Sequence, residues 1–147
     1  MAGSIVVGVD GSPVSKAALR WAVDEAVRRD SDVAAMSVWH RDNGVVSGPV
    51  PVEVAAQLSE EHQKSLGQKA LDEALYDIGN VGARIRPVLV EGDPRSVLVD
   101  ASEDADLLVV GNRGHGAVAE ALLGSVSAQC VHHAACPVVV VKEATTG

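Results

Sequence analysis

Short apolar runs alternate along this chain with longer segments whose apolar residues recur every three or four positions. The runs are apolar on both faces and predict buried strands at 4–10, 32–39, 83–90, 106–110 and 137–141. The intervening segments predict helices at 13–29, 52–78, 94–103 and from a Gly-rich stretch to about residue 134. The predicted order is therefore βαβαβαβαβ.

Two of the predicted helices begin with a capping residue followed by proline. Ser12 precedes Pro13, and Asp93 precedes Pro94. The first member of each pair is a natural N-cap, and proline at the first helical position lacks an N–H that would have no partner there. Gly79 is expected to end the helix that precedes the third strand.

Strands of this kind, separated by helices, predict an α/β protein with a doubly wound, mainly parallel sheet and helices on both faces. In such sheets a ligand binds outside the carboxyl ends of the strands, where the strand order reverses. The prediction places Asp10, which ends the first strand, beside Gly111, which ends the fourth. With 147 residues, the chain is expected to form one domain over 1–147, with a core of about 4–143.

Composition narrows the range of partners. The formal net charge is −8 and the pI is near 4.9, and no Lys/Arg cluster exceeds Arg28-Arg29, which disfavours nucleic acid. An anionic ligand is therefore expected to be held by backbone dipoles. The chain has no Phe, one Tyr and two Trp, so the core must be built from Val, Ala and Leu.

The sequence around the amino terminus and the cysteines bears on location. Met1 is followed by Ala-Gly-Ser without a basic leader, and no apolar run approaches the ~20 residues of a membrane span. Two cysteines, Cys130 and Cys136, suit a reducing compartment. We expect a cytoplasmic protein that does not bind membranes.

A glycine-rich stretch carries the candidate chemistry. Gly111, Gly114 and Gly116 lie within six residues, and Gly124-Ser125 follows at the next helix. Such glycines allow positive φ and let a phosphate approach backbone N–H groups at a helix N-terminus. The dinucleotide fingerprint G-x-G-x-x-G is not matched, and no Lys follows Gly124 as a Walker phosphate loop requires.

The spacing Gly111, two residues, Gly114, nine residues, Gly124-Ser125 resembles the ATP-binding signature of the universal stress protein family. The opening run at 5–12, the strand at 106–111 and the closing run at 133–141 are also similar to that family. The resemblance implies a Rossmann-like fold of the adenine nucleotide alpha hydrolase type, with five parallel strands in the order 3-2-1-4-5. It also implies ATP as the bound nucleotide, with Mg²⁺ or Mn²⁺ accompanying it.

The resemblance further assigns roles to individual residues. Asp10 is expected to contact the ribose or a metal bound to the phosphates, and Val38 to meet adenine through its backbone. The remaining candidates, around the ribose and phosphates, are Gly11, Ser12, Gly111, Arg113, Gly114, His115, Gly116, Gly124, Ser125, Val126 and Ser127. No catalytic residue is assigned, since no general base can be placed beside a nucleophile.

Several functions fit these residues. The first is a nucleotide-dependent stress or signalling module with slow or absent hydrolysis, dimeric through the edge strand Val138 to Val141, as the resemblance implies. The others are a slow metal-dependent ATPase or self-phosphorylating protein using Ser125, a cyclic-AMP-binding module, and a ligand-free interaction protein. A zinc site at Cys130, His132, His133 and Cys136 is disfavoured, because a buried thiol and histidines near a helix end explain the same residues.

Overall fold

The computed structural model describes residues 3–40, 51–52, 59–79, 81–113 and 123–142. Its strands and helices follow the predicted order, and α1 and β2 have the predicted bounds. The elements are β1 (Ser4–Gly8), α1 (Pro13–Arg29), β2 (Asp32–Trp39), α2 (Glu60–Ile78), β3 (Ile85–Glu91), α3 (Pro94–Ser102), β4 (Leu107–Gly111), α4 (Ser125–His133) and β5 (Val138–Val141).

The five strands form one parallel sheet in the order β3-β2-β1-β4-β5, which confirms the expected topology. β1 is central and pairs with β2 through Gly8 and Met36, and with β4 through Val7 and Val109. The chain first builds outward from β1 to β3 and then crosses to β4 and β5. The strand order therefore reverses between β1 and β4, where α/β sheets bind their ligands.

Helices cover both faces of the sheet, as predicted. Alternate strand residues point to opposite faces, so Ile5 and Val7 pack with α1 and α2, whereas Val6 and Leu108 pack with α3 and α4. Small residues of α1, such as Ala18, are fully buried against the sheet. A core without phenylalanine is therefore filled by aliphatic side chains packed between close helix and strand backbones.

The prediction of one continuous helix over 52–78 was wrong at Ser59, which separates helical residue Val52 from the helix that follows. Ser59 is extended, with φ −65° and ψ 148°, and its hydroxyl accepts the N–H of His62 at 3.2 Å, so α2 begins at Glu60. His62 and Leu66 were expected on the buried face, but both are exposed, Leu66 by 48%. Val54 and Leu58 lie outside the described residues.

The second half of α2 makes the contact with the sheet. A Cβ added at Gly67 would lie 2.9 Å from Leu89 Cδ1, and buried residues follow at Ala70, Leu71 and Ala74. Gly79 ends the helix, as predicted. Neither α2 nor any other helix in the described ranges is long and apolar enough to cross a membrane.

Candidate functional site

The turn after β1 holds three of the predicted site residues. Asp10 Oδ1 accepts hydrogen bonds from the N–H of Ser12 (2.9 Å) and from the Ser12 hydroxyl. Gly11 lies between them with φ 87°, in the left-handed region that glycine adopts without strain. Ser12 also caps α1 by accepting the N–H of Ser15 at 3.3 Å, so this turn positions Asp10 at the edge of the sheet.

The end of β2 extends past the end of β1. The last described bond of the ladder between them runs from Val9 N–H to Met36 C=O, at 2.8 Å. Strand residues direct their N–H and C=O groups to alternate sides, so Val38, two residues after Met36, directs both groups toward β1. The Val38 backbone therefore faces the space above the point where β1 leaves the sheet.

Gly111 ends β4 for a reason that sequence reasoning missed. A Cβ at this position would lie 2.9 and 3.1 Å from the two Cγ atoms of Val14, so glycine allows α1 to approach β4. Its φ is not in the left-handed region, and that of Gly124 is −73°. The expectation of positive φ in the run from Gly111 to Gly116 was therefore wrong for Gly111.

Asn112 connects three elements of the site. Its N–H donates to Val141 C=O at 2.8 Å, and its C=O accepts the N–H of Gly124 at 2.7 Å. The hydroxyl of Ser127, a residue only 2% exposed, lies 3.0 Å from the same Asn112 oxygen and 3.1 Å from Gly124 C=O. These bonds hold the first turn of α4 against the ends of β4 and β5. Sequence reasoning missed Asn112, although it lies inside the glycine signature.

The N-terminus of α4 differs from the other described helix starts. Ser12, Ser59 and Asp93 each cap their helix by accepting a backbone N–H. At α4 the N-cap is Gly124, no side chain makes a capping bond, and the first turn has no acidic residue. Free N–H groups and the positive end of a helix dipole together favour a bound anion.

The structure brings the described candidates to one edge of the sheet, because the carboxyl ends of β2, β1 and β4 are neighbours. Of the α4 residues, Ser125 is exposed, Val126 is half-buried and Ser127 is buried. Arg113 is half-buried just after β4. The predicted residues Gly114, His115 and Gly116 lie outside the described residues.

The cysteines do not form part of this edge. Cys130 is buried among apolar side chains, and this desolvation raises the pKa of its thiol to about 11. No group of three or more His, Cys, Asp or Glu side chains in the described ranges could hold a metal ion.

The opposite, amino edge of the sheet carries a surface depression of about 330 Å³, lined in part by Asp32, Arg84 and Arg86. Arg84 donates to Asp32 across it at 2.7 Å. The charge of Arg84 is therefore matched by Asp32 within the protein.

The family model for universal stress proteins matches residues 1–142. The chain belongs to the universal stress protein family. A universal stress protein of Mycolicibacterium smegmatis is 38% identical over 142 residues, covering 93% of this chain and 47% of that protein. One of Methanocaldococcus jannaschii is 36% identical over 141 residues, covering 95% of this chain and 81% of the relative. The chain spans about half the length of the mycobacterial relatives that it matches.

Solved universal stress proteins share the fold. The structure from Lactobacillus plantarum superimposes with a TM-score of 0.77 at 24% identity, covering 95% of this chain and 97% of that one. A universal stress protein in complex with cAMP matches at 29% identity and a TM-score of 0.62, covering 95% of both chains. An Arabidopsis thaliana family member with AMP bound matches at 24% identity and 0.65, covering 97% of this chain and 93% of that one.

Proposed function

We propose that this chain binds an adenine nucleotide, ATP in the resting protein, at the carboxyl edge of the sheet between β1 and β4. The observation that carries the proposal is the uncapped N-terminus of α4, held at the ends of β4 and β5 by the bonds of Asn112. The family member with cAMP, at 29% identity, supports an adenine nucleotide as the ligand class.

Each group has a defined task in this proposal. The backbone of Val38 hydrogen-bonds the adenine edge, and Asp10 contacts the ribose or a phosphate-bound Mg²⁺ or Mn²⁺. The N–H groups of Ser125 and Val126 bind phosphate oxygens, together with the signature residues Gly114, His115 and Gly116. Backbone donors suit a chain of net charge −8, because the anion is bound without a cationic side-chain cluster.

In this proposal, nucleotide binding causes a change that is recognised by a partner protein or by a second copy of the chain. We place the protein in the cytoplasm as a homodimer through β5, an edge strand that pairs with β4 on one side. A second candidate is slow metal-dependent ATP hydrolysis or self-phosphorylation, favoured by the exposed hydroxyl of Ser125 at the same helix start. Cyclic AMP is the alternative ligand.

The test starts from freshly purified protein that has seen no added nucleotide. The protein is denatured, and any released nucleotide is identified by chromatography and mass. We expect ATP at a substantial fraction of one per chain. If none is released, calorimetric titration with ATP, AMP and cyclic AMP, with and without Mg²⁺, must still detect binding, and its absence for all three would refute the proposal.

The enzymatic candidate makes a separate prediction. ADP should form in a reaction that depends on Mg²⁺ or Mn²⁺ and falls in Asp10→Ala, and self-phosphorylation should be lost in Ser125→Ala. Binding of ATP without ADP formation or phosphoprotein supports the non-enzymatic module.

A further inference from the structure

In the side-chain amide of Asn112, one polar atom makes no hydrogen bond. Its Oδ1 is buried and has no hydrogen-bond partner, the one such side-chain atom found in the described ranges. Buried polar atoms are almost always paired in native proteins, because leaving one unpaired costs its full desolvation. An unpaired oxygen beside a proposed ligand site therefore points to a donor on the ligand.

The backbone of Asn112 is bonded on both sides, which places the residue at the start of α4. Its N–H is bonded to Val141 at 2.8 Å, and its C=O to Gly124 at 2.7 Å, with the Ser127 hydroxyl at 3.0 Å. These bonds fix the backbone of Asn112 next to the N-terminus of α4, whereas its side-chain amide can still rotate about its own bonds.

We propose that Asn112 Oδ1 accepts a hydrogen bond from a ribose hydroxyl of the bound nucleotide and so makes Asn112 a specificity-determining residue. This inference rests on the proposed nucleotide site. Ionised phosphate oxygens and the adenine ring nitrogens that lack hydrogen only accept, so a carbonyl oxygen cannot bond them. The donors of an adenine nucleotide are its ribose hydroxyls and its 6-amino group.

The strand order selects between these two donors. Val38, proposed to meet the adenine edge, ends β2, and Asn112 follows β4. β1 lies between the two strands, which separates their ends by about 10 Å across the sheet. The N-terminus of α4, proposed for the phosphates, is bonded directly to Asn112. The ribose joins base and phosphate, so its hydroxyls are the donors within reach of Asn112.

The experiment removes the acceptor and the donors in turn. Binding of AMP, 2′-deoxy-AMP, 3′-deoxy-AMP and purine riboside monophosphate, which lacks the 6-amino group, is titrated against the wild-type chain and Asn112→Leu. Leucine has a similar size and no acceptor. We expect Asn112→Leu to bind AMP about tenfold more weakly, the upper range for one neutral hydrogen bond. For one of the two deoxy nucleotides, wild type and variant should bind equally.

A second variant and a second readout separate recognition from structure. Asn112→Asp keeps the acceptor and the shape, so it should still prefer AMP over the same deoxy nucleotide, while its added charge weakens all four ligands together. The melting temperature of ligand-free Asn112→Leu should not fall below that of wild type, because the lost oxygen has no partner in the protein. A lower melting temperature would overturn the inference.

The failure of this inference differs from the failure of the proposed function. If wild type binds none of the four nucleotides, the proposed function fails and the inference with it. If wild type binds AMP but Asn112→Leu binds all four ligands as well as wild type, or weakens all four equally, only the inference is overturned. A difference confined to purine riboside monophosphate would assign the oxygen to the amino group and overturn it as well.

Discussion

The N-termini of α3 and α4 lie at the same edge of the sheet and are built in opposite ways. In the α3 start (residues 93–95), Asp93 accepts the N–H of Arg95 at 2.8 Å and also pairs with its guanidinium at 2.8 Å. In the α4 start (residues 124–127), no side chain caps the helix, and the Ser127 hydroxyl is bonded to backbone carbonyl oxygens. The α3 start is satisfied by its own residues, whereas the α4 start still offers donors.

Under the proposed function, this difference assigns the α3 start to stability and the α4 start to binding. A carboxylate at an N-cap supplies a negative charge to the helix dipole, so an external anion gains little there. A glycine N-cap has no side chain, so the position that a capping carboxylate would occupy is available to an external anion. We therefore read the missing cap at α4, among helices that are otherwise capped in the described ranges, as the mark of the ligand site.

The largest expected effect comes from giving the α4 start the cap that α3 has. Gly124→Asp places a carboxylate where the phosphate is proposed to bind, and the backbone at φ −73° and ψ 172° accepts any residue. We expect AMP affinity to fall at least about 100-fold by competition and like-charge repulsion. Titration calorimetry measures this change.

Gly124→Asn is the matched control, because it caps the helix without a charge. It should reduce affinity by about tenfold, and the melting temperature of both variants should stay at or above that of wild type. Unchanged AMP binding by Gly124→Asp would mean that the α4 start is not the anion site.

The next prediction concerns Gly111, which lies close to the α4 start. It tests whether glycine is needed there so that α1 can pack against β4. Gly111→Val forces atoms onto Val14 of α1, since even a Cβ would lie 2.9 Å away. We expect a loss of about 2 kcal/mol in the free energy of unfolding, measured by urea denaturation. Val14→Ala in the same chain should recover part of it. No recovery would mean that Gly111 is required for another reason.

A smaller effect is expected at the α3 start. Asp93→Ala removes a helix cap and should lower the free energy of unfolding by about 1 kcal/mol, without a change in nucleotide affinity. Asp93→Asn retains a capping oxygen and serves as the control. If Asp93→Ala weakened AMP binding tenfold while the protein stayed folded, the two helix starts would not be separate in function.

The smallest effect is a dependence of stability on pH. Hydrogen bonds from Arg95 lower the pKa of Asp93 from 3.8 to about 2. Because the folded pKa is depressed, this stabilisation is fully present above about pH 4 and is lost as the pH falls toward 2. Both side chains are exposed, so we expect less than about 1 kcal/mol. Urea unfolding of wild type and Asp93→Asn should converge over that range, and parallel curves would contradict the assignment.

Local signals predicted most of the fold. Ser12 with Pro13 and Asp93 with Pro94 start helices as expected, because a cap acts within three residues of itself. The start of α2 was missed, because the apolar spacing continues through Ser59, whereas the capping bond from the His62 N–H to Ser59 sets the beginning of the helix at Glu60. The spacing also could not reveal that Leu66 is exposed whereas Gly67 lies against Leu89 of the sheet.

The candidate site was predicted at the level of its edge and its glycine signature. The family resemblance supplied the individual residues, and the described ones lie at that edge. The need for glycine at position 111 could not be predicted, because it depends on the close approach of Val14 from α1. The internal bonds of Ser127 were also missed, because they require the positions of both Asn112 and Gly124.

The sequence by itself determined the alternation of strands and helices, the capped helix starts and the edge at which a ligand should bind. These properties depend on periodicity and on contacts a few residues apart. The tertiary structure decided which helix start stays open and which buried oxygen lacks a partner. Asn112 is bonded to Val141, Gly124 and Ser127, residues distant in the chain that meet only when β4, β5 and α4 pack together.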